Sequence, residues 1–183
     1  MAIQLQIHEL NTAGEVETLL HSAVQGFSRN LSFGREDDSA PAALVKPVRG
    51  INRSFEKYLK VSIEASDDAD VISNLQLITT STSPSGGLDL EAGVAVNYAA
   101  PISTDSQSAV NSLFGYTANN PLLITPVDTN YSTGQGGGGE NVAIGDILGG
   151  YVVLQMDVTP VALTGQIDAN YDPLSVIIRY DEA

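Results

Sequence analysis

At 183 residues the chain is long enough for one domain with a sizeable core, and a 43 % hydrophobic content argues against disorder throughout. The formal net charge is −14, and the absence of cysteine excludes a disulfide scaffold, thiolate catalysis and any cysteine-based zinc or iron–sulfur site. The charge is also unevenly placed. Residues 61–178 hold thirteen Asp or Glu and no Lys or Arg, whereas seven of the eight basic residues lie between Arg29 and Lys60. A surface of that kind cannot neutralise phosphates and repels anionic lipid, so neither nucleic acid nor membrane is expected as a partner.

Along the chain, Ile3, Leu5 and Ile7 alternate with Gln4, Gln6 and His8, the period of a half-buried strand. This opening has no basic start, so no signal peptide is expected. Residues 15–26 fit either a short helix, with Val16, Leu19, Leu20 and Val24 on one face, or a strand. From Phe27 to Gly50 the pattern is broken by Gly34, Pro41 and Pro47, which predicts an irregular arm that docks or moves.

A strand is expected over 55–65. Its core side is contested among Phe55, Tyr58, Leu59, Val61 and Ile63, with Glu56, Lys57, Lys60 and Glu64 outside. The slip in register between 55 and 61 calls for a bulge. Further strands are predicted over Val71–Thr80, Ala92–Tyr98, Leu122–Val127, Gly150–Val158 and Leu174–Tyr180, with a helical turn near Ala109–Phe114. In Gly150–Val158 the apolar residues Val152, Leu154, Met156 and Val158 share a face, with Asp157 opposite. The densest apolar run, Ile147–Val158, is too short and too polar to span a membrane. Short strands separated by turns, with little helical periodicity, predict an all-β fold. The expected form is a β-sandwich, jelly-roll-like at this length, with residues 1–50 as N-terminal strands and arm and 51–183 as the sandwich domain.

Sites for chemistry are sparse. Asp168, Asn170 and Asp172 alternate as calcium ligands do, but Pro173 stands where an EF-hand loop needs glycine, and Asp67, Asp68 and Asp70 read as a turn. His8 and His21 are the only histidines and are not spaced as a metal pair. Gly136–Gly139 lacks the Lys and Ser/Thr of a phosphate loop and reads as a flexible tip. The chain has carboxylates enough for a glycosidase pair, but no Trp to stack on a sugar. No cofactor is expected.

The basic segment is the distinctive feature. Residues 41–60 carry Lys46, Arg49, Arg53, Lys57 and Lys60 against one acid, Glu56. These five are the candidate partner-binding residues, docking on an acidic face of a neighbouring copy or another protein. Pairing of the same cations within their own domain is the competing reading.

The segments Asn52–Val61, Val71–Leu77, Gly93–Tyr98 and Val176–Glu182, in that order, resemble β-sandwich virion structural proteins of tailed bacteriophages, of the head-decoration, neck or tail-associated kind. The resemblance covers about residues 50–183 and lies in strand order rather than in a diagnostic motif. It implies a non-enzymatic, homo-oligomeric subunit, assembled in a host cytoplasm into a virion, with other virion proteins as partners. The alternative is a carbohydrate-binding jelly-roll module using Tyr98, Tyr116, Tyr131 or Tyr151.

Overall fold

A computed structural model describes residues 3–11, 16–38, 40–66, 71–81, 87–101, 103–104, 108–126, 129–133, 139–162 and 175–182. The strands are β1 (Gln4–Asn11), β2 (Val16–Ser22), β3 (Phe27–Ser28), β4 (Asn52–Arg53), β5 (Lys57–Ala65), β6 (Ile72–Thr79), β7 (Leu88–Ala95), β8 (Asn111–Ser112), β9 (Leu122–Leu123), β10 (Asn130–Ser132), β11 (Glu140–Asn141), β12 (Tyr151–Val158) and β13 (Val176–Glu182). They form two sheets. The larger has the order β3-β2-β1-β5-β12-β7-β8 with β4 also on β12, and the smaller has β11-β10-β6-β13 with β9 also on β6.

The fold is an all-β sandwich, as the alternation of apolar residues predicts. Leu59, Val61, Ile63, Val152, Leu154 and Met156 of the larger sheet share one core with Ile72, Leu75 and Leu77 of the smaller. Each such side chain stabilises the fold by about 1.5–3 kcal/mol through burial. The connectivity is of the jelly-roll kind in one respect: β5, β6 and β7 alternate between sheets, and β12 returns to lie between β5 and β7.

Residues 16–22, ambiguous between helix and strand, are a strand because β2 has β1 to pair with, from Gln6↔Ser22 to Asn11↔Val16. On its other side β1 pairs with β5, and Ile3, Leu5 and Leu20 lie in the main core. The first strands are thus built into the larger sheet beside the central strands.

The bulge expected in 55–61 lies at its N-terminal end. Leu154 pairs with Lys57 and Asp157 with Arg53, so three steps along β12 match four along the facing chain. Ser54 closes the irregularity: its N–H donates to the Met156 carbonyl at 2.9 Å and its hydroxyl accepts from the Met156 N–H at 3.0 Å. A second irregularity sits at Asn74, whose φ of 50° brings Ile72 and Leu75, three residues apart, onto the same core.

Three of the expected elements need correction, the first being the strand predicted for Leu122–Val127, which pairs with β6 only at Leu122–Leu123. The strand predicted for Ala92–Tyr98 runs instead from Leu88 to Ala95, paired along its whole length with β12, and Val96 is exposed. Asp89 and Glu91, alternating with Leu88 and Leu90, hid its true start. The helical turn predicted near 109–114 is the short strand β8 followed by a 3-10 turn at Leu113–Gly115, held down by the buried Leu113.

The outer face of the larger sheet is covered as well. Leu10, Tyr58 and Val153 pack there under Ala109, and the crossing backbone passes so close to β7 that a Cβ on Gly93 would overlap the Ser108 carbonyl. The arm, too, has anchors. Gly34 bridges to Ala43, the Phe55 N–H donates to the Gly34 carbonyl at 2.9 Å, and Leu31, Phe33 and Leu44 pack on the main core.

Candidate functional site

The five basic candidates divide sharply once folded. Lys46 and Arg49 are exposed on the arm. Arg53, on β4, holds Asp157 of β12 at 3.1 Å with part of its side chain in solvent. Lys60 holds Glu17 across the sheet at 3.0 Å. Lys57 is fully buried: its ammonium lies 2.8 Å from the Glu9 carboxylate and donates to the Asp38 carbonyl. Lys57 is therefore withdrawn from any docking surface. It shares the register of Leu154 and Leu59, so it points to the inner side of the sheet, where the sequence placed it outside.

Glu56, also expected outside, is buried on the other side. One of its carboxylate oxygens accepts the N–H groups of Ser108 and Ala109 at 2.7 and 2.9 Å, and Tyr58 donates to the other oxygen at 3.4 Å. The pair Glu56–Lys57 thus straddles the sheet, anchoring the crossing segment on one face and the arm on the other. Neither role shows in the sequence, because alternation treats charged strand residues as solvent-facing and carries no record of a distant partner. The one available signal is that two opposite charges sit side by side where the register slips.

Residues 45–51 form the exposed tip of the arm. Asn52 donates from its side-chain amide to the Val45 carbonyl at 2.6 Å, tying the two ends together, and Gly50 with φ 73° makes the turn. On this tip the exposed residues alternate in kind: Val45, Val48 and Ile51 are 58 %, 92 % and 53 % exposed, with Lys46 and Arg49 between them. Three β-branched side chains are thus held in water beside two cations that make no ion pair among the described residues. Beneath the tip lies a cleft of about 580 Å³, lined by Arg35, Leu44, Val45, Ile51, Arg53 and Thr104. The cationic and apolar character of the tip therefore continues into a concave surface.

The buried acids are perturbed by their surroundings. Burial pushes the carboxyl groups of Glu9 and Asp157 above the ordinary range, while Lys57 and Arg53 respectively pull them back. Each acid therefore binds its proton more tightly folded than unfolded. The stability it contributes is fully present below the ordinary carboxylate pKa, about 4, and is lost as pH rises through the raised folded value. Relative to Asp157→Asn, the parent chain is expected to lose unfolding free energy as pH rises from about 4 toward neutrality. Urea unfolding of both chains at several pH values checks this, and a pH-independent difference would remove burial as the dominant influence on Asp157.

The tyrosines proposed as a sugar platform do not share a face. Tyr98 and Tyr151 pack edge-on against Tyr58 on the outer face of the larger sheet, with ring centroids 5.0–6.2 Å apart. Tyr116 and Tyr131 pack on the main core between the sheets. His8 and His21 sit on paired strands, but His21 lies opposite Ile7 and His8 opposite Leu19, which places the two rings on opposite sides. His21 bonds Ser28 at 2.8 Å. Among the described residues no group of three His, Asp or Glu could hold a metal ion. The turn Asp67–Asp70, the run Asp168–Asp172 and glycines 136–138 lie outside the described residues.

Comparison with protein-family models, with curated proteins and with solved structures finds no match.

Proposed function

We propose that this chain is a non-enzymatic structural subunit, assembling with copies of itself and with neighbouring proteins in the particle of a tailed phage as a decoration, neck or tail-accessory component. The observation that carries the assembly reading is the tip at 45–51, where exposed Val45, Val48 and Ile51 alternate with unpaired Lys46 and Arg49. Outside residues 41–60, which carry +4, the chain has a net charge of −18, so another copy offers acidic surface to Lys46 and Arg49, the two of the five that make no ion pair among the described residues. The placement in a virion rests on the strand-order resemblance alone.

The test replaces Lys46 and Arg49 with Glu and leaves Arg53 untouched, since Arg53 holds Asp157 within the fold. Surface changes of this kind shift stability by about 0.5 kcal/mol or less. Self-association is expected to weaken at least about tenfold, or ~1.4 kcal/mol, with the melting temperature nearly unchanged. Association that survives both reversals, read by sedimentation, would rule out the tip as the docking element.

A further inference from the structure

The smaller sheet stops short of the larger one. Its edge strand β13 pairs with β6 on one side, and among the described residues no strand pairs with the other side. The larger sheet, in contrast, ends in β1, β2 and β3. Between β13 and these strands runs a groove of about 390 Å³, lined by Ile3, Leu5, Ile7, His21, Ile178 and Tyr180 among others. Such an edge, with apolar surface beside it, is a template for an added segment and is normally covered or blunted.

The groove has a polar end. Tyr180 donates its hydroxyl to the Ile3 carbonyl at 2.9 Å, and Glu182 accepts the Ile3 N–H at 3.0 Å. Glu182 is exposed at this end, whereas Asp181 lies on the other face of the strand and accepts from the Asn74 side-chain amide at 2.7 Å. The groove therefore combines an apolar floor, a strand edge with no strand beyond it among the described residues, and one acid, Glu182, at its end.

Among the features described above, the arm tip is the segment with the complementary pattern. It offers Val45, Val48 and Ile51 for the floor and Lys46 and Arg49 for Glu182, with Arg35 and Arg53 close by in the adjoining cleft. The cleft beneath the tip and the groove at β13 share no residue, so the two features are separate surfaces of one chain. The geometry points to docking between copies, in which residues 45–51 of one copy lie along β13 of another, over β1 and β2. This rests on the assembly reading above and adds the receiving surface. Pro47 has no N–H to give, so the ladder to β13 is short and the side chains carry most of the contact. Because donor and acceptor surfaces differ, the contact closes either reciprocally between two copies, as a two-fold dimer, or head-to-tail around a ring.

Cross-linking reads this directly, since the chain has no native cysteine. Val48→Cys and Ile177→Cys are made as separate full-length chains; the two positions are 92 % and 38 % exposed, so both variants are expected to fold. The chains are mixed and treated with a short bis-maleimide. The expected result is that most cross-linked product joins residue 48 to residue 177, seen as a dimer band in the mixture and confirmed by peptide mass. Either variant treated alone should give at least tenfold less dimer. A dominant 48–48 product would place the two tips against each other and overturn docking of the tip on β13. An oligomer that persists with no 48–177 product would overturn the proposed receiving surface while leaving assembly intact. A monomeric parent chain would overturn both.

Discussion

Lys57→Met is expected to lower the unfolding free energy by about 3–5 kcal/mol, because it leaves the Glu9 carboxylate buried without its cation. The pair is sealed from water on both sides, with the Glu9 and Lys57 side chains 2 % and 0 % exposed and 2.8 Å apart. The ammonium also donates to the Asp38 carbonyl, so the same change releases a tie that holds the arm against the sheet. Glu9→Leu combined with Lys57→Met should recover much of the loss, since an apolar pair of similar volume carries no desolvation cost. Urea unfolding of the two single variants and the double variant gives the coupling. A loss below about 1 kcal/mol in Lys57→Met would mean that Glu9 finds another partner or water, and that the arm is held by its apolar contacts.

Gly93→Ala is expected to cost on the order of 2–4 kcal/mol, a large effect for a single methyl group, through overpacking. The added Cβ would overlap the Ser108 carbonyl, a backbone atom that no rotamer change can move aside. The crossing segment would have to lift, and the two N–H groups that Glu56 accepts from Ser108 and Ala109 would go with it. The carboxylate of Glu56 would then be left buried with fewer donors, which adds to the steric cost. Thermal unfolding measures the total. A melting temperature within a degree or so of the parent, for about 0.5 kcal/mol or less, would show that the segment at 108–109 shifts freely and is not an anchored part of the fold.

The sequence was legible wherever burial alone decided the structure. β12 alternates cleanly because Val152, Leu154, Met156 and Val158 face the main core, and the strand lies within a residue of its expected limits. β6 was found as well, although Asn74 breaks its period, because its apolar residues are close enough to mark a strand under any register. Polar contacts across long separations were not legible. Glu9 and Lys57 are 48 positions apart, and Glu56 reaches backbone 52 and 53 positions away, with nothing local to announce either contact. The docking candidates show the same limit. The cluster of five cations was visible, but folding sends Lys57 inward, pairs Arg53 and Lys60 across strands, and leaves Lys46 and Arg49 exposed. What the charge count could not supply was the exposure of Val45, Val48 and Ile51, which shows only once the arm turns there.

The central claim, that this is an assembling subunit, is tested most directly by the absolute mass of the purified chain by light scattering after size exclusion, at physiological salt. The account predicts one discrete species at an integral multiple of 19.2 kDa, shifting toward the single-chain mass in Lys46→Glu/Arg49→Glu. A clean monomer at every accessible concentration would contradict it.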